Sequence, residues 1–125
     1  MSRYNIEIAK GAGFCFGVKR AVQIAEKTAD ENGGCCTLGE LIHNGSEIAR
    51  LERLGVYPIN SPDDLPDGKT LIIRSHGVAQ SVIDHINDKG INCIDATCPF
   101  VAKIHDIVSK AEGHVIVAGD PDHPE

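Results

Sequence analysis

Short runs of apolar and β-branched residues alternate with helix-length segments along this 125-residue chain, and this alternation limits the possible folds more than any other feature. Strands separated by helix-length connections pair in parallel, and the connecting helices cover the faces of the sheet. The sequence therefore predicts an α/β domain with a mainly parallel sheet flanked by helices. Six strands are expected, at residues 4–9, 35–38, 56–59, 70–74, 91–94 and 115–118.

The connecting segments carry helix signals. The first has apolar residues at helical spacing from residue 18 to 29 and ends at a pair of glycines. The second is expected to begin at Asn44, whose side chain can form a capping box with Glu47. The third is expected near residues 81–88, and the fourth begins after Cys98, with Pro99 at its first position. No crossover helix follows the last predicted strand, so we interpret the chain as part of a longer protein.

Composition limits the classes of function. The net charge of -6 and the lack of a basic stripe argue against nucleic-acid binding. The apolar run at residues 115–118 is far shorter than the roughly 20 residues that a membrane helix needs, and the N-terminus lacks a signal-peptide pattern. Five cysteines without a secreted disulfide framework are typical of a reducing compartment. A cytoplasmic protein is predicted.

Chemically reactive side chains follow the predicted strands. The carboxyl ends of parallel strands meet at one edge of a sheet, where ligands bind in open α/β folds. All of these side chains are therefore expected to face one site. In chain order they are Cys15, His43, His76, Cys98 and His123.

Cys15 and Cys98 are each placed where a strand gives way to a helix. Unpaired backbone N–H groups and the helix dipole favour a thiolate at such a position, and a thiolate binds metal. Two thiolates do not identify the metal. Zinc would take both cysteines, one histidine and a water, whereas an iron–sulfur cluster would need mainly cysteine ligands. Simple packing beneath a helix start stays open as a third interpretation.

The other cysteines and histidines have more ordinary interpretations. Free cysteines within strands are usually small core residues, and imidazoles on helices or before strands are usually at the surface or bonded locally. The core interpretation applies to Cys35, Cys36 and Cys93, and the surface interpretation to His85, His105 and His114.

Five ordered motifs together resemble those of the 4-hydroxy-3-methylbut-2-enyl diphosphate reductase family, also called LytB/IspH. They are AGFCFGVKRA at residues 12–21, GELIHN at 39–44, IRSHGV at 73–78, DATCP at 95–99 and HPE at 123–125. The resemblance spans nearly the whole chain but covers only the N-terminal part of a family member.

The resemblance implies a [4Fe-4S] cluster held by three cysteines, of which Cys15 and Cys98 match the first two and the third lies beyond Glu125. It implies that Glu125 is the proton donor. It also implies that three histidines hold the substrate's diphosphate and hydroxyl network, namely His43, His76 and His123.

The activity implied for the parent protein is a two-electron reductive dehydroxylation of the allylic diphosphate substrate. The products are isopentenyl and dimethylallyl diphosphate, at the last step of the methylerythritol phosphate route to isoprenoids. A ferredoxin or flavodoxin is the implied electron donor. The alternatives are a zinc-dependent hydrolase using Cys15, Cys98 and a histidine, and a non-catalytic redox-sensing or ligand-binding module.

The resemblance also implies an architecture of three similar α/β modules around the cluster. Residues 1–12 would supply a strand to a later module, residues 13–97 would form the first module, and residues 98–125 would start the second. Because one cysteine ligand and part of the substrate pocket are then missing, the chain alone is expected to be inactive.

Overall fold

Four parallel strands form one sheet in the computed structural model of the chain, which describes residues 4–123. The strand order is β2-β1-β3-β4, and every neighbouring pair is parallel. The α/β prediction is confirmed. The elements, in chain order, are α1 (Phe16–Asn32), β1 (Cys35–Leu38), α2 (Gly45–Arg53), β2 (Val56–Ile59), a 3-10 helix (Pro62–Asp64), β3 (Leu71–Ile73), α3 (Gln80–Asp88), β4 (Cys93–Asp95) and α4 (Pro99–Ser109).

The sheet has a hydrophobic core on each face, because successive strand residues point to opposite sides. Cys35 and Ile72 belong to the core that α1 and α2 cover. Cys36 and Leu71 belong to the opposite core, which α3 covers with Ile86. The domain therefore has three layers, with helices on both faces of the sheet.

Helix α1 packs closely on the sheet through small residues. Ala21 and Ala25 are fully buried, and Ala29 is nearly so. The helix ends at Gly33, which takes the left-handed conformation with φ of 63°, a common way for helices to stop. The predicted apolar face and the predicted end of this helix are both confirmed.

Helix α2 begins as predicted, at Asn44. The Asn44 side chain accepts a hydrogen bond from the backbone N–H of Glu47 at 3.0 Å. The reciprocal half of the expected capping box is not formed, because the Glu47 carboxylate instead accepts a hydrogen bond from Arg50 Nε at 2.9 Å. Arg50 also reaches Glu26 on α1 at 2.6 Å, so this charged group ties the two helices together.

Two of the six predicted strands are wrong for this chain. Within the described residues, neither 4–9 nor 115–118 joins the sheet. Their apolar side chains are exposed, with Ile6 at 84% and Ile116 at 92%. A strand needs a neighbouring strand for its backbone hydrogen bonds and a covered face for its side chains, and these segments have neither here.

Candidate functional site

Cys15 and Cys98 both occupy the N-cap position of a helix, as predicted. Cys15 precedes α1, and Cys98 precedes α4, where Pro99 takes the first helical position. Neither side chain makes a capping hydrogen bond to its helix. Cys15 is exposed and Cys98 is partly buried. Both cysteines therefore lie at the positive end of a helix dipole, next to backbone N–H groups that no side chain caps.

Three contacts hold the starts of these two helices together. A Cβ placed on Gly17 would lie 2.6 Å from Cys98 Sγ, so only a glycine in α1 leaves room for this thiol. The rings of Phe16 and Phe100 meet edge to face, with centroids 6.1 Å apart. Arg20 Nη1 donates a hydrogen bond to the carbonyl oxygen of Thr97 at 3.2 Å. The fold therefore brings the two predicted metal ligands to one place from residues 83 positions apart in sequence, the difference between 98 and 15.

His43 and His76 meet where the strand order reverses. Strands β1 and β3 are neighbours, yet the connections that follow them lead toward opposite edges of the sheet. Such a switch point leaves a crevice at the carboxyl ends of the strands, where ligands bind in open α/β sheets. The two imidazole rings stack there, with centroids 5.5 Å apart and planes 5° from parallel.

The His76 side chain is buried and lacks a hydrogen-bond partner at Nε2 among the described residues. Burial, together with the positive charges of Arg74, His43 and His123, lowers the pKa of His76 to about 4. The imidazole is therefore neutral at pH 7, when one ring nitrogen donates and the other accepts. His123, the last predicted histidine, thus acts electrostatically on His76.

The cysteine side and the histidine side of the site are joined by the backbone. The N–H of Cys98 donates to the carbonyl oxygen of Ser75 at 2.7 Å, directly before His76. The N–H of Ala96 donates to the carbonyl oxygen of Ile73 at 3.0 Å. The start of α4 is thus fixed against the turn that carries His76. The predicted proton donor, Glu125, lies outside the described residues.

A cavity of about 800 Å³ opens beside His76, between the start of α3 and helix α4. Its lining includes Arg74, Thr97 and His105. His105 was predicted to be a surface or locally bonded residue, but it is partly buried, and its Cε1 lies 3.1 Å from where a Cβ on Gly77 would stand.

The sequence interpretation gave neither Arg74 nor His105 a role. For Arg74 a signal was present, since this cation stands two residues before the strand-end His76 in a chain of net charge -6. For His105 the signal was its spacing of seven residues from Cys98, the difference between 105 and 98, which places both on one face of a helix.

The remaining cysteines are core residues, as predicted. Cys35 and Cys36 are buried, and Cys93 is partly buried against the second core. Burial, with the neighbouring Cys36, raises the pKa of Cys35 to about 11, and burial also raises the pKa of Cys36 and Cys93. Such thiols stay protonated and are poor metal ligands.

The two other histidines outside the site behave as predicted. His85 is paired with Asp63 at 3.0 Å, and His114 is exposed. Neither joins the site residues.

The described residues do not by themselves form a complete metal centre. Across residues 4–123, no three or more side chains of His, Cys, Asp or Glu meet in a geometry that could hold a metal ion. The zinc alternative needs a histidine as third ligand, and the described residues do not supply one beside the two cysteines. Across the same residues, no helix has the length and apolar character needed to cross a bilayer.

The family model described as LytB protein matches residues 6–125. Among curated proteins, the 4-hydroxy-3-methylbut-2-enyl diphosphate reductase of Campylobacter hominis is 50% identical over 125 residues, which is 97% of this chain and 44% of that protein. The reductase of the same name from Clostridioides difficile is 46% identical, with 97% and 45% covered. The chain thus spans less than half the length of these relatives.

Two solved structures share the fold. A structure of (E)-4-hydroxy-3-methyl-but-2-enyl diphosphate reductase superimposes with a TM-score of 0.79 at 43% identity, covering 95% of this chain and 43% of that one. The Plasmodium falciparum reductase superimposes with a TM-score of 0.74 at 33% identity, covering 79% of this chain and 31% of that one. With the family model matching nearly the whole sequence, the chain belongs to the LytB protein family.

Proposed function

We propose that the full-length protein containing this chain reduces 4-hydroxy-3-methylbut-2-enyl diphosphate to isopentenyl and dimethylallyl diphosphate, the last step of the methylerythritol phosphate route. One observation carries the proposal: Cys15 and Cys98 lie at adjoining helix starts, and the Cys98 backbone is bonded to the turn that carries the buried, neutral His76 at the switch point of the sheet. The names of the relatives support this activity. These relatives are more than twice as long as this chain.

Cys15 and Cys98 would hold a [4Fe-4S] cluster together with a third cysteine from the longer protein. Both cysteines precede the first turn of a helix, and the absence of a side chain at Gly17 leaves space for the Cys98 sulfur. When bound, the cluster supplies an open iron position for the substrate's hydroxyl oxygen and passes on the two electrons.

The histidines would hold and orient the substrate. His43 and His76 stack at the crevice, and His123 acts on the same group, so the three can donate N–H groups to diphosphate and hydroxyl oxygens. The net charge of -6 disfavours anion binding by the chain as a whole. The three histidines would offset this locally by providing N–H donors. The buried position of His76 would also keep water from the reacting carbon.

Glu125 would donate a proton, directly or through a water or hydroxyl relay. In the proposed reaction the allylic C–O bond breaks, the hydroxyl leaves as water after protonation, and a C–H bond forms. Two electrons and two protons are consumed. A reduced ferredoxin or flavodoxin is the proposed electron donor, and the cytoplasm is the proposed location. The three-module architecture, with boundaries after residues 12 and 97, is proposed for the parent protein.

Turnover by the full-length protein tests the proposal. The protein is purified without oxygen and given the substrate with a chemical reductant, and products are measured by mass spectrometry. Both isoprenoid diphosphates are expected, and Glu125→Gln is expected to lose turnover while still binding substrate. Failure of the cluster-loaded protein to form either product would contradict the proposal.

The same preparation distinguishes the alternatives. One equivalent of zinc without sulfide would support a hydrolase, and substrate binding or thiol oxidation without turnover would support a sensing or binding module. No contact in the described residues favours either one.

A further inference from the structure

Arg74, at the end of β3, is held in an unusual position. Its guanidinium lies across the backbone of Gly39, and a Cβ on Gly39 would stand 2.7 Å from Arg74 Nη1. Gly39 has φ of +75°, so both its conformation and the close approach of the guanidinium require glycine. Arg74 is therefore placed by the loop that follows β1 and leads to His43.

No partner neutralises this guanidinium within the part of the chain that is described. The Arg74 side chain takes part in none of the ion pairs or side-chain hydrogen bonds of residues 4–123, and its Nε is buried without an acceptor. Desolvating a charged donor without an acceptor is costly, so such a group is normally paired. Arg74 is an unpaired cation in a chain of net charge -6.

The carboxylates that line the same cavity are already engaged. Asp95 accepts hydrogen bonds from the Thr97 backbone N–H at 2.9 Å and from the Thr97 hydroxyl. Asp106 is paired with Lys110 at 2.6 Å. Neither carboxylate therefore neutralises the Arg74 guanidinium. Its positive charge favours the binding of an anion from outside the chain.

Arg74 shares the cavity with His76, whose Nε2 is also buried without a partner. Two polar groups that lack partners thus line one space of about 800 Å³. A guanidinium binds phosphoryl oxygens through two parallel hydrogen bonds and keeps its charge at every physiological pH. An imidazole beside it can donate one further bond to the same group.

We propose that Arg74 is a further substrate-binding residue, whose guanidinium takes phosphoryl oxygens of the diphosphate beside His76. This inference rests on the proposed function, because it assigns the anion to the substrate. Arg74 is a binding residue in this account, and it takes no part in proton or electron transfer.

The test measures binding of inorganic diphosphate to the full-length protein by calorimetry without oxygen. Arg74→Gln removes the charge, Arg74→Lys keeps the charge but loses the paired hydrogen bonds, and Arg53→Gln is the control on an exposed part of α2. Loss of a charge-assisted contact predicts binding about tenfold weaker or more for Arg74→Gln, an intermediate value for Arg74→Lys, and the wild-type value for the control. With substrate, KM should rise more than kcat falls.

Wild-type affinity for diphosphate in a folded Arg74→Gln protein would overturn the proposal and leave Arg74 a packing role on Gly39. If circular dichroism shows that Arg74→Gln does not fold, Arg74→Lys decides, and wild-type affinity in that variant overturns the proposal equally. Inorganic phosphate serves as a second probe and should bind more weakly than diphosphate. Binding as tight as that of diphosphate would show a general anion site and overturn the assignment to the substrate's diphosphate. Absence of turnover in the wild-type protein would contradict the proposed function. The diphosphate titration would still show whether Arg74 binds the anion, so the two failures are distinguishable.

Discussion

His76 stays neutral at pH 7 because it is buried beside the charge of Arg74 and stacked on His43. A neutral imidazole can donate to a diphosphate oxygen through one nitrogen while the other accepts. Its pKa of about 4 lies below the value of roughly 6.5 for an unperturbed histidine. The unfolded chain therefore binds a proton at this residue more readily than the folded chain does, so acidification favours unfolding.

Acidification should destabilise the protein through His76. Between pH of about 6.5 and 4 the unfolded chain binds a proton that the folded chain does not, so stability falls as the pH falls. The expected loss from this residue is on the order of 2 kcal/mol between pH 7 and pH 5. Denaturant unfolding of the full-length apo protein at pH 7 and pH 5 measures this loss in the free energy of unfolding. His76→Phe should lose less stability on acidification than wild type, and an equal loss in both proteins would contradict the assignment.

Helices α1 and α4 meet through their first turns, and this contact sets the distance between the two proposed cluster ligands. The contact depends on Gly17, since any side chain there would collide with the Cβ and Sγ of Cys98 at 2.8 and 2.6 Å. Gly17 has an ordinary helical conformation, so nothing in the backbone itself requires glycine. The absence of a side chain at this position is explained by the neighbouring thiol.

Gly17→Ala should therefore lower the iron and sulfide content of the reconstituted full-length protein. Helix propensity alone predicts the opposite trend in stability, a gain of up to about 1 kcal/mol from replacing glycine in a helix. Gly45→Ala is the matched control, because Gly45 also lies in the first turn of a helix and a Cβ there meets nothing within 4 Å. Equal cluster content in the two variants would show that the α1–α4 contact does not position Cys98.

The elements that local signals define were predictable, and those that depend on distant partners were not. Asn44 before α2 and Pro99 at the start of α4 mark helix starts through their own backbone chemistry. The segments at 4–9 and 115–118 have strand-like sequences, but a strand forms only beside another strand. The contacts of Arg74 with Gly39 depend on how two loops meet, which no local pattern encodes.

The described residues form two hydrophobic cores but also leave apolar side chains exposed. On α4 these are Phe100, Ile104 and Ile107, each at least 58% exposed, on the helix that begins after Cys98. The strand-end rule predicted that the cysteines and histidines would share one edge, and the structure packs Cys98 against Gly17 and stacks His43 on His76. The metal that the two cysteines would hold could not be identified from spacing, since two thiolates fit several centres.

Iron and acid-labile sulfide analysis of the full-length protein, purified without oxygen, tests the central claim most directly. Wild type and Cys93→Ser, which changes a cysteine of the second core, should each hold about four iron and four sulfide ions per chain and appear brown. Cys15→Ser and Cys98→Ser should each lose most of both. A wild-type protein without sulfide, or a full cluster retained in both serine variants, would contradict the account.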